Sequence, residues 1–249
     1  MIAETIPIWN GSEDAVLECC RLHLSHEPPD RLRPAAVICP GGAYLGTSDR
    51  EAEPVAARFL AKGYHTFTVR YTTYYGKDFR TARGPGNPRS VFPQPLLDLA
   101  KATALVRERA EEWRVDPGRI VVVGFSAGGH LAATLGVRWH EEFLARRLSA
   151  PNEAFRPNAL VLSYALLDLL FLKELHVRSG GELAIPDDRM ELWKKTSVAV
   201  FGTEEPTDEQ LRDLSPARRV SALTPPTFLW HTAEDDLVTA GLSLLFAME

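Results

Sequence analysis

The sequence predicts an α/β protein built on a mostly parallel sheet with helices on both faces, and three observations carry that reading. Short apolar runs recur at Ala35–Cys39, His65–Tyr71, Val121–Val123, Ala159–Tyr164 and Thr227–His231, each of the length and β-branched or aromatic character of a buried strand. Between several of them stand helical stripes, as at Leu96–Trp113 and Leu131–Trp139, with charged residues on the opposite face of the first. A strand, a helix and a strand in succession make a right-handed crossover, and such crossovers lay strands parallel.

Taken in order, Val16 to Leu24 alternates apolar and polar residues and ends at Pro28-Pro29, so it reads as a half-exposed strand, the antiparallel opening of the sheet. After the Ala35–Cys39 strand, Ser48-Asp49-Arg50-Glu51 has the S-x-x-E form of a capping box and predicts a helix through about Lys62, ended by Gly63. Pro54 suits the first turn of a helix and leaves open a start only at that point. Thr72 to Gln94 has no apolar period and is longer than most connections, so it is expected to be functional or disordered. Its aromatic residues Tyr74, Tyr75, Phe79 and Phe92 are candidates for lining a pocket. A helix follows from Pro95 to Trp113, then a turn at Val115–Gly118 and the Val121–Val123 strand. His140 to Arg156 is charged and reads as solvated, and residues 169–220 carry broken helical patterns that predict a cap-like excursion from one domain spanning residues 1–249.

Composition bounds the partners. Of 249 residues, 45% are hydrophobic and 24% charged, enough for one sizeable core. A balance of 28 Lys and Arg against 33 Asp and Glu gives a net charge of −5, without the basic surface that nucleic acid or an anionic membrane needs. The acidic N-terminus lacks the basic start and apolar run of a leader peptide, and no stretch reaches the roughly 18 apolar residues of a membrane span. Cys19, Cys20 and Cys39 show no ligand spacing, so neither a disulfide framework nor a structural metal site is expected, and the default setting is reduced and cytoplasmic.

The chemistry is carried by Gly124-Phe125-Ser126-Ala127-Gly128, a G-x-S-x-G between the buried strand and a helix. A sharp strand-to-helix turn lifts a serine side chain clear of the sheet as a nucleophile, and flanking glycines avoid Cβ collisions with neighbouring backbone. Pro40-Gly41-Gly42-Ala43-Tyr44 follows another buried strand. There the N–H groups of Gly42 and Ala43 are expected to join that of Ala127 in an oxyanion hole for a tetrahedral intermediate, the alternative being a tight turn with nothing bound.

A serine hydroxyl needs a histidine to accept its proton and a carboxylate to orient that histidine. In folds with this elbow the acid follows a late strand and the histidine comes last. Asp235 occupies the acid position, Asp168 is the alternative after the preceding strand, and Asp236 adjoins the first choice. No histidine follows His231 in this sequence. His130 lies one turn into the helix that leads away from the serine, and His231 stands only four residues before Asp235, so neither is the expected base. The final helix, strand and histidine of such a fold are therefore expected to be lacking in this chain, and it is expected to turn over an aryl acetate only weakly. The Thr227–His231 strand would then be an uncovered sheet edge, open to self-association.

PGGAY, Arg70-Tyr71, Pro95-Leu96-Leu97-Asp98, GFSAGGHLA, Leu214-Ser215-Pro216 and TPPTFLWHTAEDDLV together resemble the α/β-hydrolase family of acetyl esterases and acetylxylan esterases, akin to the hormone-sensitive-lipase-like carboxylesterases. The resemblance runs from about Ala35 to Ala247. It implies a serine esterase that removes short acyl groups, above all acetyl, from a sugar or small alcohol through an acyl-enzyme, without metal or cofactor. It assigns Ser126 as nucleophile, Asp235 as acid in a D-x-x-V pattern with Val238, and Gly42, Ala43 and Ala127 as oxyanion donors. Pro40 departs from the first histidine of the H-G-G-G that many relatives carry. The alternative reading is a truncated or non-catalytic hydrolase fold that lacks the general base and acts in binding or association; a peptidase would use the same constellation, but no appended propeller is evident.

Overall fold

A computed structural model describes residues 1–23, 28, 31–76, 79–178 and 187–249. Its frame is a seven-stranded sheet in the order β1-β2-β4-β3-β5-β6-β7, with β1 at Ile2–Trp9, β2 at Ser12–Arg21, β3 at Arg33–Cys39, β4 at His65–Arg70, β5 at Val115–Phe125, β6 at Ala159–Ser163 and β7 at Thr227–Trp230. β1 and β2 form an antiparallel hairpin, β2 pairs antiparallel with β4, and the five strands from β4 to β7 are parallel. The antiparallel opening is thus one strand larger than the alternation of Val16–Leu24 predicts. β1 is exposed along most of its length and lacks the apolar period by which a buried strand is recognised.

Alternation along β3 shows why both faces are covered. Ala35, Val37 and Cys39 enter the larger core cluster, whereas Ala36 and Ile38 enter a smaller one with Val123 and Ala56. Ala56 belongs to α1 (Glu53–Ala61), which covers one face. On the other lie α2 (Gln94–Glu108), followed by a single turn, α3 (Ala110–Trp113), and α4 (Ser126–Arg138), whose residues after Ser126 are almost all buried. β7 ends the sheet, with Phe228 61% and Trp230 48% exposed.

Three local expectations are corrected, and one of two alternatives for a loop is narrowed. Ser48 forms no side-chain cap, residues Asp49–Glu51 are a 3-10 turn, and the regular helix begins at Glu53 with Pro54 in its first turn. Glu51 is thereby freed from a capping role. The charged stretch after His140 is not wholly solvated, since α5 (Glu142–Leu148) buries Leu144. The helical stripe ending at Trp113 is broken at Arg109. The described part of the Thr72–Gln94 loop is packed: Tyr74 and Tyr75 donate backbone N–H bonds to Tyr44 and Leu45 at 2.9 and 2.8 Å, and the Ser90 hydroxyl donates to the Ala199 carbonyl at 2.9 Å.

Between β6 and β7 run α6 (Leu169–Arg178), α7 (Asp187–Phe201) and α8 (Asp208–Asp213), the last opened by a capping box between Thr207 and Gln210. This is the stretch for which the sequence predicts a cap, and residues 179–186 within it lie outside the described set. α9 (Gly241–Met248) follows β7 and buries Leu242 and Phe246. Among the described residues no helix is long and apolar enough to cross a membrane.

Candidate functional site

Ser126 stands where β5 passes into α4, and its φ is +50°. A side chain in that left-handed region costs about 1–3 kcal/mol and persists where its surroundings enforce it. Two glycines supply those surroundings. A Cβ on Gly124 would strike the Gly128 carbonyl and lie 2.7 Å from the Gly129 Cα, while one on Gly128 would strike the Cys39 and Pro40 carbonyl oxygens. α4 therefore rests directly on the strand backbone, and the spacing G-x-S-x-G records two places where no side chain fits.

The PGGAY turn packs against this elbow from the end of β3. The position that a Gly41 Cβ would take lies 2.9 Å from Ser126 Cβ and 2.8 Å from the Phe125 carbonyl. Gly42, Ala43 and Tyr44 then follow at φ values of +135°, +54° and +58°. The first peptide of the turn is held at both polar ends and the next two through their carbonyls. The Pro40 carbonyl accepts the Tyr71 hydroxyl at 2.8 Å, and the N–H of the same peptide, on Gly41, donates to Glu51 Oε2 at 2.7 Å. The Gly41 carbonyl accepts the Ser48 N–H at 2.8 Å, and the Gly42 carbonyl accepts from Leu45 and Gly46 at 2.9 and 3.3 Å.

In a trans peptide the N–H points opposite to the carbonyl. The Gly42 and Ala43 N–H groups are therefore turned away from the residues that hold their neighbouring carbonyls. Among the described residues neither has a hydrogen-bond acceptor, and the Ala127 N–H, in the first turn of α4, has none either.

His130 and His231 are occupied elsewhere. His130 is fully buried: Nε2–H donates to the Leu214 carbonyl at 2.7 Å, and Nδ1 accepts the Tyr44 hydroxyl at 2.6 Å. Burial pushes its pKa down to about 4, so the ring is neutral and joins the elbow helix to the PGGAY turn. His231 Nε2–H donates to the Val238 carbonyl at 2.6 Å, and its Nδ1 meets Ser243 Oγ at 2.7 Å. His65 Nδ1 accepts the Leu22 N–H at 3.1 Å, His23 is exposed, and His140 packs edge-on against Trp139. His26 lies outside the described residues. Ser126 Oγ has no hydrogen-bond partner among the described residues.

Of the candidate acids, Asp235 sits in the turn after β7, where Oδ1 accepts the Leu237 and Val238 N–H groups at 3.0 and 2.9 Å and Oδ2 is 3.4 Å from His231 Nε2. Asp236 pairs with Arg189. Asp168 is fully engaged in structure: it accepts the Phe171 N–H at 2.8 Å at the start of α6, lies 3.2 Å from Ser215 Oγ, and pairs with Arg218 Nε at 2.8 Å. Asp98 is likewise structural, accepting from Trp9 Nε1, the Thr72 N–H and Gln94 Nε2 at 2.6 to 2.8 Å.

Sequence reasoning missed Glu51, Tyr71 and Tyr164. Glu51 Oε1 accepts the Tyr164 hydroxyl at 3.0 Å while Oε2 holds Gly41. Pro54, which delays the helix, is the one sequence signal that Glu51 was not a capping residue. Among the described residues no cluster of three or more His, Cys, Asp or Glu side chains could hold a metal ion.

The profile of the BD-FAE family matches residues 23–249. The chain belongs to the BD-FAE family. Its fold is that of the α/β-hydrolases: it is similar, at 30% identity and a TM-score of 0.72, to an acetyl ester-xyloside bifunctional hydrolase from Caldicellulosiruptor lactoaceticus, with 98% of this chain and 80% of that one covered. A second solved structure, MGS-M1, an α/β hydrolase enzyme from a Medee basin deep-sea metagenome library, is also 30% identical, with a TM-score of 0.65 over all of this chain and 76% of that one. Among curated proteins, an acetylxylan esterase of Xylanibacter ruminicola is 26% identical over 86% of this chain and 37% of its own length. Endo-1,4-beta-xylanase B of Butyrivibrio fibrisolvens is 29% identical over 88% of this chain and 29% of its own length. The chain thus spans well under half of either curated relative.

Proposed function

We propose that this BD-FAE chain is a serine ester hydrolase that removes short acyl groups, acetyl first among them, from a sugar or small alcohol. One observation carries the reading: a left-handed Ser126 at a strand-to-helix elbow, packed against a turn whose Gly42 and Ala43 N–H groups, with that of Ala127, are left without acceptors among the described residues. Ser126 Oγ attacks the ester carbonyl, its hydroxyl proton passing to the departing alcohol oxygen, and the carbonyl oxygen takes up negative charge within reach of those donors. Collapse of the intermediate releases the alcohol and leaves an acyl-serine, which water hydrolyses in the second half of the reaction. The names of an acetylxylan esterase and an acetyl ester-xyloside hydrolase among the relatives support a carbohydrate acetyl ester as substrate. Asp235 is the carboxylate that this reading assigns to orient the base.

A second reading is favoured by the histidines. Both ring nitrogens of His130 and of His231 are committed to other partners, so neither stands as the base for Ser126. A chain without that base would bind acylated ligands with little turnover. Hydrolysis of p-nitrophenyl acetate and of acetylated xylo-oligosaccharide by the wild type and Ser126→Ala separates the two. Turnover lost on substitution supports the esterase, binding of the acetylated oligosaccharide without turnover supports the second reading, and neither turnover nor binding overturns both.

A further inference from the structure

Among the described residues Glu51 is the one carboxylate that hydrogen-bonds to the backbone of the PGGAY turn, and its two oxygens reach in different directions. Oε2 accepts the Gly41 N–H at 2.7 Å and Oε1 the Tyr164 hydroxyl at 3.0 Å. Gly41 follows β3, Tyr164 follows β6, and the sheet order places β5 between those two strands. The carboxylate therefore spans the strand that carries Ser126 and ties the loops on either side of it. It also lies close to the elbow, since Glu51 Oε2 and Ser126 Cβ stand 2.8 and 2.9 Å from the same point beside Gly41.

Tyr164 is itself fixed for this contact. Its φ is +40°, its N–H donates to the Trp230 carbonyl at 2.7 Å, and its ring packs on Phe125 and Trp230 with centroids 5.9 and 5.8 Å away. Burial, then the charge of Glu51, pushes its pKa upward, so the hydroxyl keeps the proton it donates.

We propose that Glu51, braced by Tyr164, is a positioning residue that sets the aim of the oxyanion donors. Glu51 and Tyr71 grip the two polar ends of the Pro40-Gly41 peptide, so its plane cannot rotate. The next two peptides carry the Gly42 and Ala43 N–H groups, and Ala43 and Tyr44 have positive φ, a conformation that residues with a side chain hold only under constraint. Releasing Gly41 lets the turn relax and moves both donors away from the oxygen above Ser126. The carboxylate does not contact that oxygen; its effect is exerted through the backbone.

This inference rests on the proposed nucleophile, and its test separates the two. Butaneboronic acid forms a tetrahedral adduct with an accessible serine and mimics the oxyanion, and the adduct can be followed by boron NMR without turnover. The wild type is expected to form it and Ser126→Ala to lose it. Glu51→Ala is expected to weaken the adduct about tenfold, less than outright removal of a donor would, and to speed amide exchange at Gly41–Tyr44. Glu51→Gln keeps an oxygen for Gly41 and can donate to the Tyr164 oxygen, so it is expected to recover binding to within about threefold of the wild type, short of the loss a missing donor would cause. A folded Glu51→Ala that binds like the wild type, or a Glu51→Gln as weak as Glu51→Ala, overturns the positioning role and leaves the nucleophile standing. A wild type that forms no adduct overturns the nucleophile and this inference with it.

Discussion

A methyl group on Gly128 has no free space to occupy. It would strike the carbonyl oxygens of Cys39 and Pro40 and lie 2.6 Å from the Cys39 carbonyl carbon, all of them backbone atoms that no rotamer change can move. Accommodation requires α4 to lift from the end of β3. Overpacking of this kind costs about 1–3 kcal/mol, and rigid neighbours put it at the upper end; alanine returns roughly 1 kcal/mol of helix propensity. The net loss is about 2 kcal/mol, which for a chain of this size lowers the melting temperature by about 4–8 °C. Gly136→Ala, in the same helix, is the matched control. Its new methyl would meet the Leu160 Cδ1, the end of a side chain that can turn, and its melting temperature is expected to stay within about 2 °C of the wild type. Thermal unfolding followed by circular dichroism reads both. If Gly128→Ala melts with the wild type, or the two variants fall equally, backbone contact is not what reserves the motif position for glycine.

Two further outcomes are expected. The neutral, buried His130 takes up a proton less readily in the folded chain, at about pH 4 against an ordinary value of 6.5, so the unfolded chain gains protons first as the pH drops. Its stabilising contribution is whole above about pH 6.5 and declines toward pH 4, by up to about 3 kcal/mol; urea unfolding of the wild type and His130→Gln should show the difference narrowing over that range, and parallel profiles would contradict it. At the sheet's edge Phe228 is 61% exposed and Trp230 48% exposed, with no strand beyond β7 among the described residues. Self-association through this edge is expected, and Phe228→Lys should reduce it in sedimentation equilibrium; a wild type that stays monomeric at high concentration would count against it.

Other motif residues that suggest a family also have structural tasks. Tyr71 of the Arg70-Tyr71 pair holds the Pro40 carbonyl, Asp98 of Pro95-Leu96-Leu97-Asp98 gathers Trp9, Thr72 and Gln94, and Ser215 of Leu214-Ser215-Pro216 accepts the Leu169 N–H at 2.9 Å. Their polar atoms are satisfied inside the protein, as buried groups must be. The histidine of GFSAGGH belongs with them, since its nitrogens bind Tyr44 and Leu214.

Whatever depends on neighbours along the chain can be read from the residues in order. β-branched runs, helical stripes and the glycines of G-x-S-x-G report local burial and local steric limits, so the parallel strands, the elbow and the glycine turn after β3 were legible before any coordinate. Which polar atoms meet is fixed by the fold. The S-x-x-E at Ser48 fits a capping box in isolation, yet Glu51 turns to Gly41 and to Tyr164, 113 residues away in the chain. Asp168 and Asp235 both follow late strands, yet the first meets Arg218, Ser215 and the Phe171 N–H and the second the N–H groups of its own turn. Such pairings are set by the order of strands in the sheet, and contacts between distant residues leave no period in the sequence from which to read them.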